Sequence, residues 1–257
     1  MSSPAGNTAV RGLGTALRTL TLLPWPFGES EDLAASLPWF PVVGLILGMI
    51  LYGVAVIWSY LPFVPWPAAA GLALLVCEVI LTRGLHVDGL ADWADSIGGG
   101  ADREKRLAIM KDASIGAFGV TALVLDLLAK WICFERLFAT GALFFIPVIL
   151  LLSRNALVEL ACALPYARTG TGMGLPFVEG ATRKHLWVSR LLTVTVCLIL
   201  GLPALLLFCI SCLETLAFAF YSRRRFGGIT GDLLGTANEI VEGSLLLLCA
   251  LFPFARG

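Results

Sequence analysis

Four residues able to do acid–base or metal chemistry, His86, Asp88, Asp92 and Asp95, fall within ten positions of GLHVDGLADWADSIGGG (84–100). On a helix, Asp88, Asp92 and Asp95 stand at i, i+4 and i+7, inside a sector of about 60°. Carboxylates so placed repel one another, more strongly where water is scarce, and a divalent cation is the simplest offset. Hard oxygen ligands suit magnesium, which usually takes one or two carboxylates together with substrate phosphates. Gly89 leaves room for a phosphate or another backbone to come close. His86 is open to three roles: proton shuttle, phosphate contact, or hydrogen-bond support for a carboxylate.

Four further segments could complete such a site. MKDASIGAFG (110–119) carries Lys111 and Asp112, either a working pair or a surface ion pair. Arg154 lies inside the apolar run of LLSRNALVEL and needs an anion, which is Glu159, Glu78 or a substrate phosphate. LPYARTGTGMG (164–174) is a Gly/Thr-rich loop with Arg168, suited to wrapping a phosphate. In FGGITGDLLGTANEIVE (226–242), Gly228, Thr230 and Gly231 lead into a helix beginning near Asp232, where free N–H groups favour anions. Asp232 and Glu239 share a face of that helix, with Glu242 at its edge; a cap and a polar face are the plainer explanation. His185, beside Arg183 and Lys184, reads as an interfacial basic residue, and Asp102 to Arg106 as a solvated face of alternating sign.

The elements that must position these groups are membrane helices. The chain of 257 residues is 58% hydrophobic and 14% charged, with mean hydropathy +0.88. That is an integral membrane composition, and a net charge of zero argues against a nucleic-acid binder. A helical crossing needs about 20 apolar residues. Phe40–Tyr60, Trp66–Thr82, Ile115–Phe134 and Gly141–Leu164 supply four. Leu186–Tyr221 is long enough for two, with Gly201, Pro203 and Ser211 as possible breaks, and Ser244–Phe254 ends a last one together with the residues before it. The expected fold is all-α: one polytopic domain over residues 1–257 with six to seven transmembrane helices. Residues 1–38 do not have the order of a cleavable signal peptide. Of the seven cysteines, Cys77, Cys133, Cys162, Cys197 and Cys249 read as small core residues, and Cys209 and Cys212 lack further metal ligands nearby.

Lys and Arg gather at 11–18, 83–111, 168–184 and 223–225, whereas LPFVP and ERLFAT, read as turns, hold almost none. Pairing the spans as hairpins puts every long polar loop on one side, which the basic residues mark as cytoplasmic. Carboxylates, basic groups and Gly-rich loops on one membrane face are the equipment of metal-assisted phosphoryl transfer.

GLHVDGLADWADS, MKDASIGAFG, LPYARTGTGMG and GGITGDLLGTANE, in this order, resemble the cobalamin synthase family of adenosylcobinamide-GDP ribazoletransferases. RTLTLLPWP…LPWFPVVGLILG resembles that family's opening, so the likeness covers nearly the whole chain. Ser114 stands where members often carry arginine, and Ser96 where glycine is usual. The resemblance implies a multi-pass enzyme of the prokaryotic plasma (inner) membrane with its site facing the cytoplasm. It would join α-ribazole, or its 5′-phosphate, to adenosylcobinamide-GDP with release of GMP, using magnesium. Asp88, Asp92, Asp95 and Asp232 are then the expected metal ligands. His86, Asp88, Asp92, Lys111 and Asp112 form the catalytic set; Gly89, Arg154, Arg168, Gly228, Thr230 and Gly231 bind substrate. A homo-oligomer is left open. The rivals are a CDP-alcohol phosphotransferase or prenyltransferase-like magnesium enzyme, and a cation transporter. DGLA followed by Asp92 breaks the first pattern, GGITGD is a poor second copy for the next, and no internal repeat supports the last.

Overall fold

A computed structural model describes residues 4–26, 28–61, 66–100, 102–170 and 172–252. Eleven α-helices follow one another among these residues, with no strand. They are α1 (Pro4–Leu20), α2 (Phe40–Ser59), α3 (Pro67–Thr82), α4 (Leu85–Gly99), α5 (Arg103–Ile109), α6 (Ala117–Thr140), α7 (Phe145–Ala163), α8 (Leu175–Glu179), α9 (Arg183–Leu200), α10 (Leu202–Phe226) and α11 (Gly231–Leu251). Five are long and apolar enough to cross a membrane: α2 with the 3-10 turn before it, α6, α7, α10 and α11. Helices α3 and α4 are apolar enough only as a pair, bent by 89° between them. The protein is a polytopic helical membrane protein.

The centre of the bundle is α7, in which every residue from Phe145 to Ala161 is buried. A helix apolar on nearly all sides has no face for water and must be wrapped by neighbours. On one side α2 presents Gly44 and Gly48, one turn apart, where a Cβ would collide with the α7 backbone at Leu150 and Pro147. Small residues at this spacing let two membrane helices pack backbone to backbone. The same device joins α3 to α6, where a Cβ on Gly71 would lie 2.7 Å from the Glu135 nitrogen.

Most of the expected spans are present, with some different limits. The break in the long apolar run is Gly201, at φ 92°, between α9 and α10. Helix α9 opens on Arg183 and carries Arg190, and it falls outside the five. ERLFAT is no turn: α6 continues through it to Thr140. The last crossing reaches back to Gly231, because Glu239 and Glu242 find cationic partners inside the bundle. Most of LPFVP lies outside the described residues. Helix α1, too polar to register as a span, buries Ala16, Leu17 and Leu20.

The elbow between α3 and α4 decides where the acidic residues go. Arg83 (φ 58°) and Gly84 (φ 64°) are both left-handed, and the chain turns by 89°. The Arg83 guanidinium donates to the Arg18 carbonyl at 2.8 Å, tying this strained residue to the end of α1. Helix α4 is not one of the five that can cross alone, and it packs over the first turns of α11 and the start of α6.

Candidate active site

Helix α4 can lie so close to α11 because both carry glycine at the crossing. A Cβ on Gly89 would sit 2.5 Å from the Asp232 carbonyl oxygen, and one on Gly235 3.1 Å from that of His86. The Thr236 hydroxyl donates to the Gly89 carbonyl at 2.9 Å. The neighbour that Gly89 admits is therefore a backbone. This crossing puts the Asp88 and Asp92 face of α4 beside Asp232.

The two Gly-rich loops are fastened to each other. Ala167 N–H donates to the Ile229 carbonyl and Ile229 N–H to the Pro165 carbonyl, each at 2.9 Å, forming an isolated parallel bridge at Tyr166 and Ile229. Gly228 permits the approach, since a Cβ there would collide with the Pro165 carbonyl. Thr230 caps α11 by accepting from Leu233 N–H at 3.2 Å, and Gly231 begins the helix. The bridge carries Arg168 to Asp232, where guanidinium and carboxylate pair at 2.6 Å with side chains 16% and 23% exposed. Arg103, which the sequence placed on a solvated face, donates to the Ala167 carbonyl at 3.0 Å and covers Gly227. It is a brace for the same loops.

The three aspartates of α4 have different surroundings. Asp88 is exposed. Asp92 is half-buried; burial first, then the charges of Asp232 and Asp88, push its carboxyl up to about 7. Asp95 accepts from the N–H groups of Gly116 and Gly119 at 2.7 and 2.8 Å, one on each oxygen, and so caps the start of α6. Helical spacing put the three on one face, but that face meets α6 at one end and α11 at the other. The loop between α5 and α6 leaves Lys111 and Asp112 exposed; Asp112 accepts from Ser114 N–H at 2.9 Å, which holds its carboxyl below the usual carboxylate range.

Two expected site residues lie deeper. His86 is 4% exposed, and its Nε2 has no hydrogen-bond partner. Burial, aided by the Arg154 charge, holds it down to about 3, so it is neutral. Arg154 is fully enclosed and pairs with Glu242 and the Ser153 hydroxyl. Neither of its expected carboxylate partners meets it: Glu159 pairs with Arg190 at 3.0 Å, and Glu78 faces Lys130 at 3.5 Å. Sequence reasoning missed Lys130, although a lysine within LVLDLLAKWICF is the signal that marks intramembrane chemistry.

No group of three or more His, Cys, Asp and Glu is gathered as a ready-made metal site among the described residues. The residues nevertheless fit magnesium. Asp88, Asp92 and Asp232 are close enough to raise the Asp92 carboxyl, with Arg168 as the cation that pairs with Asp232. One or two carboxylates plus substrate phosphates are what that ion usually takes.

A helical membrane bundle bearing a carboxylate and arginine site where α4 crosses α11, with two bridged loops over it, defines the class. The chain matches the family described as cobalamin-5-phosphate synthase over residues 12–250, and it belongs to that family. It is similar to an adenosylcobinamide-GDP ribazoletransferase of Chlorobaculum tepidum, 44% identical over 246 residues, covering 94% of this chain and 95% of the relative. A ribazoletransferase of the same description from Syntrophobacter fumaroxidans is 41% identical over 248 residues, covering 92% and 97%. No solved structure matches.

Proposed function

We propose that this protein is a magnesium-dependent adenosylcobinamide-GDP ribazoletransferase. It joins α-ribazole, or its 5′-phosphate, to adenosylcobinamide-GDP and releases GMP. The observation that carries the reading is the juxtaposition of Asp88, Asp92, Asp232 and Arg168 at the crossing of α4 and α11. In a family named for this chemistry, that is where a diphosphate finds both its cation and its arginine.

Asp88 and Asp232 would hold magnesium against the diphosphate. Bound there, the ion neutralises charge on the phosphate oxygens and on the leaving GMP. Arg168, already at the site, turns its guanidinium from Asp232 to a phosphate oxygen, and Lys111 supplies a second positive charge from the α5–α6 loop. Asp92 takes the proton of the attacking ribose hydroxyl, because a base works best when its proton affinity matches the operating pH. The ribose oxygen bonds to the cobinamide-linked phosphorus, and the bond from that phosphorus to GMP breaks. His86 is too deeply buried, and too weak a base, for this step. Arg154 is engaged by Glu242 and Asp95 by the α6 amides, so both support the bundle rather than the substrate. The basic clusters support a cytoplasmic orientation of this face at the inner membrane.

The test is turnover by the protein in lipid nanodiscs with adenosylcobinamide-GDP and α-ribazole, with and without magnesium. Release of GMP and a cobalamin product, both abolished by chelation, is expected. Cation flux without GMP release would replace the enzyme with a transporter.

A further inference from the structure

Three buried glutamates, the half-buried Asp126 and two buried cations form one cluster between α3, α6, α7 and α11. Lys130 on α6 lies 3.5 Å from Glu78 on α3, 2.6 Å from Glu239 and 2.5 Å from Glu242, both on α11. Arg154 on α7 also pairs with Glu242, which takes a further hydrogen bond from the Ser153 hydroxyl at 3.3 Å. Asp126, one turn before Lys130, lies beside Glu239, and Glu78 beside Glu242. His86 of α4 is a titratable group facing the cluster from the side of the candidate site.

Hydrogen-bond stoichiometry counts the protons. Two carboxylates cannot bond to each other, because an ionised carboxyl only accepts. Taken as carboxylates, Glu78 Oε2 and Asp126 Oδ2 are buried oxygens without a hydrogen-bond donor. One proton in each carboxyl pair supplies a donor. Charge gives the same number: four carboxylates against Lys130 and Arg154 leave two negative charges in a space where unpaired charge is very costly. Two protons bring the cluster to neutrality. Glu242 and Glu239 make the close contacts to the cations, so the protons belong on Glu78 and Asp126. The fully buried Asn238 Oδ1 and the Nε and Nη2 atoms of Arg154, also without partners in the protein, show that the polar lining extends past the pairs.

We propose that this cluster is an intramembrane proton-binding site, holding one proton on Glu78 and one on Asp126. It is a binding site for protons apart from the carboxylates of α4, and it stands whether or not the transferase reading does.

Infrared spectroscopy of the full chain in nanodiscs, without substrate and well above neutral pH, tests it. Two C=O bands of protonated carboxyl groups are expected. In the unaltered protein, carbonyl-labelled glutamate shifts one of them and carbonyl-labelled aspartate the other. Glu78→Gln removes the first and Asp126→Asn the second; both amides keep the shape of the protonated acid and a donor, so the fold is retained. Glu242→Gln, which leaves three carboxyl groups against two cations, removes one of the two bands. Absence of protonated-carboxyl bands, or bands indifferent to both Glu78→Gln and Asp126→Asn, would overturn the proposal. The isotope labels distinguish these outcomes even where a variant fails to fold.

Discussion

Replacing Asp92 with asparagine separates what the carboxylate does for the reaction from what it costs the fold. The Asp92 carboxyl titrates near 7 because burial and two like charges oppose its ionised form. Its folded pKa lies above the unfolded value of about 3.9, so the folded state binds its proton more tightly. Stability is therefore lost as pH rises from about 4 to about 7, and the loss is complete above that. Three pKa units would correspond to about 4 kcal/mol, but the group is half-buried and solvent screening leaves about 1 kcal/mol. Asp92→Asn should thus melt a few degrees higher than the parent at about pH 8 and almost together with it at about pH 4. Turnover should fall by about 10²–10⁴-fold, the usual worth of a positioned base. The assays are thermal unfolding in nanodiscs at both pH values and GMP release at saturating magnesium. Near-normal turnover, or a stability difference independent of pH, would refute the assignment.

Asp95→Ala should behave oppositely. It removes two amide acceptors from the start of α6 and should lower stability by about 1–2 kcal/mol at neutral pH, read as a lower melting temperature. Asp95→Asn, which keeps one acceptor, should fall between. Gly89→Ala places a Cβ 2.5 Å from the Asp232 carbonyl oxygen and should cost about 1–3 kcal/mol while separating Asp92 from Asp232; melting and GMP release should both fall. Arg168→Ala removes a charge-assisted contact worth about 1.5–3 kcal/mol, so kcat/KM for the cobinamide substrate should drop by at least about tenfold, with Arg168→Lys recovering part of it.

The spans were legible because hydropathy is a local property. Even the break at Gly201 could be read from a run too long for one crossing. The end of α6 and the start of α11 were not, since both cross charged residues that look like loop until their partners are known. The candidate site was legible to the extent that helical spacing carried it. Asp88 and Asp92 came out beside Asp232, and Thr230 came out at a helix start, as the motif suggested. Spacing says nothing of what a face meets, so the cap role of Asp95 stayed hidden. Arg154 shows the same limit: the candidates read from sequence were Glu159, Glu78 and a substrate phosphate, yet its partner is Glu242, 88 residues away.

The separation of these ion pairs in sequence also bears on synthesis. Lys130 enters the membrane with α6, but Glu242 follows 112 residues later. At about 5–20 residues per second that is a wait of roughly 6–20 s. Glu78, 52 residues earlier, is already in the bilayer. During insertion it is, with Asp126 on α6 itself, a counter-ion available to the lysine until Glu242 arrives with the last helix.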